Sequence, residues 1–183
     1  MVSTVMKTLS IASAILIATA LAAFSQTQLA PLPPDGFVTL EQIVQEFANQ
    51  PDDALQKYNG MRICVYGRVG KVEQSDDDDA DPLAVSMQLQ NQTTPDVKAF
   101  FGQEDFPSGV VDVDDEQNKA TVYHSDWAGN LSNQKSFIVG GENVAIRGTF
   151  DNFVAGDIIL KNSFKLSPEA LAQKLSEHGI ATE

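Results

Sequence analysis

Arg62, Tyr66 and Arg68 stand at alternate positions in a stretch whose intervening residues include Ile63 and Val65. In an extended chain, alternate side chains leave on one face, so two guanidiniums and a phenol are presented together while the branched apolar groups point away. Gln88 and Gln90, then Lys98 and Phe100, repeat this parity on two further stretches. Guanidinium groups beside aromatic planes suit an anionic or planar ligand such as a sugar, a peptide carboxylate or a nucleotide. The competing use of the same cations is pairing with surplus carboxylates or packing beneath flanking helices.

Other chemistry-bearing residues are weaker candidates. Asp76 to Asp79 with Asp81 are hard oxygen ligands of the kind calcium takes, but four consecutive side chains cannot all turn toward one ion. Asp112, Asp114 and Glu116, with Asp115 between them, alternate more like a calcium loop, yet Gln117 stands where such a loop needs glycine and no glutamate closes it. His124 and His178 are too few and too far apart for zinc and are expected at the surface. His124-Ser125-Asp126 has the residue types of a hydrolytic triad, but triads assemble from distant segments. Cys64, the only cysteine, excludes an intramolecular disulfide and fits a small buried hydrophobe better than a nucleophile. No catalytic constellation, metal or cofactor site is therefore expected. The chain is expected not to be an enzyme, an enzyme of unknown class remaining open only through the unread stretch 103–136. Asn91-Gln92-Thr93 and Asn130-Leu131-Ser132 match the glycosylation acceptor pattern, which matters only in a eukaryotic secretory route.

Twelve Lys and Arg against 25 Asp and Glu leave a formal charge of −13 over 183 residues. Such a charge repels phosphate backbones and anionic lipid surfaces, which argues against nucleic acid as a partner. A hydrophobic fraction of 43% supports one core. Lys7 followed by the apolar run Leu9 to Phe24 has the form of a cleavable export signal over 1–25, with the cut before Gln26. The run is too short for a comfortable membrane span, so a periplasmic or secreted chain with no stable membrane insertion is expected. The mature chain would be one unit more negative.

The elements that must position these residues follow from periodicity. Pro31, Pro33, Pro34 and Gly36 make 26–38 a spacer expected to form neither helix nor ladder. Thr39 caps a helix with Gln42 at the reciprocal position, and Leu40, Ile43, Val44 and Phe47 share one face. A second short helix over Asp52 to Tyr58 stops at Asn59-Gly60. From Met61 the period becomes two, giving a long strand whose Gly67 and Gly70 permit the sharp coiling a small barrel needs. Leu83 to Gln90 is expected as a half-buried strand and Val97 to Phe101 as a third. Gln103 to Ser136 sustains neither period and is expected to be an insertion holding a hairpin. Val144 to Phe150 and Asp157 to Lys161 form a closing hairpin. Ser167-Pro168-Glu169 then starts a C-terminal helix over 167–183.

A long glycine-interrupted strand, two shorter strands, an intervening segment and a closing hairpin form the strand order of an OB-type barrel. Three words carry a closer likeness: Tyr58-Asn59-Gly60-Met61 leading into Val65-Tyr66-Gly67-Arg68-Val69, then Gly141 to Gly148, then Asp157-Ile158-Ile159-Leu160-Lys161-Asn162-Ser163. This pattern resembles the exported bacterial OB-fold proteins grouped as tRNA-anti-like, over roughly residues 40 to 166. Met61 stands where that family usually has Lys, and Ser163 where it often has Cys, so any pairing of that Cys with another is absent. The resemblance implies no catalytic residues. The expected chain is mainly β: a five-stranded OB-type barrel domain over 39–166 with a helical lead-in and a C-terminal helix (α+β overall). Its expected role is to bind a peptide, oligosaccharide or protein partner on the face carrying Arg62, Tyr66, Arg68, Gln88, Lys98 and Phe100. The alternative role is an envelope-associated structural or assembly protein.

Overall fold

The computed structural model describes residues 29–181, apart from 76–80, 91–94, 107–108, 127 and 129. The export signal, the Asp76 to Asp79 run and the acceptor at Asn91 lie outside the described residues.

A short strand β1 (Phe37–Thr39) runs directly into helix α1 (Leu40–Asn49), and α2 (Pro51–Tyr58) follows. Thr39 caps α1 by accepting the Gln42 N–H at 3.2 Å, and Leu40, Ile43, Val44 and Phe47 are its buried face. Between the helices Lys57 Nζ lies 2.8 Å from both Glu46 carboxylate oxygens, and the buried Tyr58 hydroxyl donates to Oε2 at 2.8 Å. The spacer therefore ends earlier than expected. Phe37, Val38 and Thr39 pair in parallel with Cys64, Val65 and Tyr66, because Val38 enters the main core while Phe37 fills a second cluster on the other side.

Strand β2 (Arg62–Gln74) holds the barrel together. Its first part pairs antiparallel with β8 (Asn143–Val154), from Arg62↔Thr149 to Arg68↔Asn143. Its second part pairs antiparallel with β3 (Leu83–Met87), from Val69↔Met87 to Gln74↔Leu83. A bulge between Val69 and Lys71 reverses the parity, so Val72 rather than Lys71 points inward. β3 pairs antiparallel with β4 (Asp96–Phe101), β4 pairs in parallel with β9 (Asp157–Lys165), and β9 returns to β8. The order β2-β3-β4-β9-β8-β2 is a closed, mixed, five-stranded barrel of OB-like topology.

β3 is buried on both faces rather than half-buried. Leu83, Val85 and Met87 enter the core, while the outer Ala84 and Ser86 lie under an ion pair between Lys98 on β4 and Glu73 on β2, 2.9 Å apart. The stretch 103–136 is more than a hairpin. It contributes β5 (Gly109–Asp114), β6 (Lys119–Ser125) and the start of β7 (Leu131–Val139), a three-stranded antiparallel sheet in the order β5-β6-β7. Register shifts between β6 and β7, opposite Thr121 and His124, place extra residues on β7 and break its two-residue period, which is why alternation did not reveal it. Helix α3 (Pro168–Glu177) closes the chain, capped by Ser167.

Asn118 fastens the three-stranded sheet to the barrel. Its Oδ1 accepts the Val72 N–H at 2.7 Å, its Nδ2 donates to Gly70 O at 2.8 Å, and its carbonyl accepts the Gly140 N–H at 2.7 Å. Asn118→Gly, which tolerates the φ of +50°, removes the two side-chain bonds and is expected to cost about 2 kcal/mol. Asn118→Ala should cost about 1–2 kcal/mol more through backbone strain. Urea titrations of the three proteins check this, and a wild-type midpoint in the glycine variant refutes the clamp.

Candidate functional site

The outer face of β2 is divided in three by what packs on it. At the centre Cys64 is fully buried with Phe37, Ala145, Leu166 and Leu175, and Tyr66, Phe164 and Leu171 pack against them. Burial pushes the Cys64 thiol up from its ordinary value, with the Arg147 guanidinium acting in the opposite direction. This cluster places α3 over the middle of the strand.

The helix is held there by Asp35. Its Oδ2 accepts from Lys174 Nζ at 2.8 Å and lies 3.0 Å from His178 Nε2, while the His178 ring stacks on Phe37 with centroids 4.4 Å apart. Burial would raise the Asp35 carboxyl, but the Lys174 and His178 bonds, the Phe37 N–H and the Lys174 charge together hold it well below the usual carboxylate range. His178 thus has a structural role that its isolation in sequence concealed.

On one side of this cover β2 has an open notch. β1 ends opposite Tyr66 and β3 ends opposite Val69, so the edge of β2 at Gly67 and Arg68 lies between two strand ends. A cleft of about 530 Å³ occupies the gap, lined by Leu40, Glu41, Tyr66, Gly67, Arg68, Gln88, Leu89, Gln90 and Asn143. β3 stops at Met87, and after one last bond from the Gln88 N–H to Arg68 O at 3.3 Å the chain leaves β2, so that Gln88 to Gln90 form one wall. Gln88 Nε2 donates to Asp96 Oδ2 at 2.7 Å, and its side chain covers Gly70, where a Cβ would come within 2.9 Å of it. The Arg68 guanidinium rests against Gly141.

The predicted face is therefore not one surface. Tyr66, Arg68, Gln88 and Gln90 meet in the notch. Lys98 is tied to Glu73 and lies over the Phe100 ring, 5.6 Å from its centroid, so both belong to the closed side of the barrel. Arg62 sits beyond α3, 5.3 Å from the Phe164 centroid. Leu40, Glu41 and Asn143 were not anticipated as lining residues, because the β1–β2 pairing is what brings the start of α1 beside Arg68 and the β2–β8 register is what sets Asn143 opposite it. Asp114 Oδ1 accepts the Gln117 N–H at 2.9 Å, closing the turn between β5 and β6, while Asp112 and Glu116 face solvent. Among the described residues no three His, Cys, Asp or Glu side chains converge as a metal site.

Most described lysines are paired, Lys119 and Lys135 being the exceptions, whereas the arginines are not. Lys57, Lys71, Lys98, Lys161, Lys165 and Lys174 each pair with a carboxylate. Arg62, Arg68 and Arg147 have no such partner among the described residues. No helix among those residues is long and apolar enough to cross a membrane.

No family model matches the chain, and no curated protein matches it. Two solved chains do. One is the crystal structure of a candidate nucleic acid-binding lipoprotein from Klebsiella pneumoniae, 16% identical, with a TM-score of 0.48 over 72% of this chain and 91% of that one.

Because its carboxyl is depressed, Asp35 contributes stability that is complete above the unfolded value of about 3.9 and is lost as pH falls through the lower folded value. Asp35→Asn removes the contribution at neutral pH. Amide exchange across 168–177 should then accelerate by about fivefold or more while the barrel strands stay protected. Unchanged exchange in α3 would show that Asp35 does not hold it.

Proposed function

We propose that this chain is an exported, non-catalytic binding module that holds a carboxylate-bearing oligosaccharide or peptide in the notch between β1 and β3. The observation that carries the reading is Arg68: a guanidinium without a carboxylate partner among the described residues, in an open cleft, on a chain with 25 acidic residues. A charge left uncompensated in such a chain is available to an external anion. Arginine's planar fork fits a carboxylate with two parallel bonds. The half-buried Tyr66 supplies an apolar face, and Gln88, Gln90 and Asn143 supply donors and acceptors for hydroxyls or peptide groups. Export is supported by the leader-like 1–25, and the general plan by the likeness to the exported tRNA-anti-like proteins. The strong negative charge still argues against a nucleic-acid polymer, whose phosphates would be repelled over most of the surface.

A second reading, assembly with other envelope proteins, rests on β5. It is the edge of its sheet and exposes Val110 by 54%. Solution mass separates the two, a monomer supporting the first.

Calorimetric titration with galacturonate oligomers and with short peptides bearing a free C-terminus tests the notch. One class should bind, with affinity falling as salt rises. Arg68→Ala should weaken binding by about tenfold or more, the equivalent of one lost charge-assisted bond, while Arg68→Lys retains part. Equal affinity in wild type and Arg68→Ala removes the notch from consideration, and turnover of chromogenic esters or glycosides would replace the reading with an enzymatic one.

A further inference from the structure

On the far side of α3, two arginines converge on one aromatic ring. Arg147 on β8 is the cross-strand partner of Cys64, and Arg62 stands two positions before Cys64 on β2. Both side chains therefore leave on the outer face, the side on which Cys64 packs. Phe164 on β9 is the cross-strand partner of Arg147. The guanidinium carbons of Arg62 and Arg147 lie 5.3 and 5.9 Å from its ring centroid. The ring itself is fixed from beneath, half-buried against the cluster of Cys64, Leu166 and Leu175. Arg62 is exposed and Arg147 half-buried.

The ring quadrupole attracts each guanidinium but does nothing to relieve the repulsion between them. In a chain so rich in acids, the ordinary remedy is a carboxylate neighbour, and Lys57, Lys71, Lys98, Lys161, Lys165 and Lys174 each have one. Neither arginine has one among the described residues. Two fork-shaped donors on one ring, Arg62 exposed and Arg147 half-buried, neither paired with a carboxylate, are the recognition chemistry of a doubly charged oxyanion.

We propose that Arg62, Arg147 and Phe164 form a second anion site, a shelf for a phosphate- or sulfate-type dianion, free or as a monoester. An oxyanion seated on the shelf accepts from both guanidiniums and replaces their repulsion with attraction. The ring edge then adjoins whatever the anion is esterified to, so an aryl or sugar monoester gains contact that the inorganic ion lacks. The shelf is separate from the notch. Arg62 and Arg68 are six residues apart on one strand, about 20 Å at an extended rise, and α3 covers the strand between them.

Nuclear magnetic resonance of the folded chain tests this with inorganic phosphate held in its dianionic form. The Nε–H signals of Arg62 and Arg147 should shift saturably, with a dissociation constant of about 1 mM, while that of Arg68 stays still. Phenyl phosphate should bind more tightly than phosphate, and acetate more weakly. Arg62→Gln, at an exposed position, should weaken phosphate binding by about fivefold or more, and Arg68→Gln should leave it unchanged. Non-saturating shifts, shifts spread evenly over Arg68 and the surface lysines, or undiminished affinity in Arg62→Gln each overturn the proposal.

Discussion

One strand has to serve two sheets, and that requirement shapes the rest of the molecule. β2 gives its first half to β8 and its second half to β3, so it must coil sharply where the two pairings meet. The turn is made at Gly67 and Gly70, where side chains would not fit. A Cβ at Gly67 would come within 2.5 Å of the Leu40 side chain, and one at Gly70 within 2.9 Å of Gln88. Close approach of α1 to the barrel and closure of the barrel are thus the same event. The handover also leaves a length of β2 edge that neither β1 nor β3 reaches, and the notch is that length.

The outer face of β2 shows how one set of alternating residues acquires three environments. Phe37 and α3 dry out the middle, around Cys64 and Tyr66, and the Asp35 bonds keep the helix in place. Arg68 and Arg62 remain on either side of that cover. Six lysines are absorbed into ion pairs, most of them partly exposed and individually worth little. The arginines are left for other work, and they are the side chains best shaped to grip a planar or tetrahedral oxyanion.

Much of the barrel was legible because its signals are local. The two-residue alternation of Ile63, Val65 and Val69, the capping pair Thr39 and Gln42, the Ser167-Pro168 helix start and the glycines of β2 each act over a few residues. What was hidden depends on contacts between distant segments. The bulge near Gly70 moves Lys71 outward, toward Glu73 and into the network that also holds Lys98, so Lys98 and Phe100 could not be separated from Arg68 by parity alone. β1 is three residues long and exists because Phe37 and Val38 find partners on opposite faces of the sheet. The sheet formed by β5, β6 and β7 was obscured by register shifts that put extra residues on β7, and its clamp, Asn118, is an ordinary turn residue until Val72 and Gly70 are placed beside it. Arg147 and Phe164 were visible as strand residues, but their meeting with Arg62 is a property of the β2–β8–β9 register.

The central claim is that β2 closes a single barrel by pairing at full strength with both β8 and β3. Native-state hydrogen exchange on the intact chain measures this strand by strand. Amides of residues 62–68 and 69–74 should exchange with one common free energy, shared with β8 and β3 and equal to that of global unfolding. If the two halves of β2 opened independently, each with only one partner strand, the barrel would be two loosely joined sheets, and the notch between them would not be a fixed site.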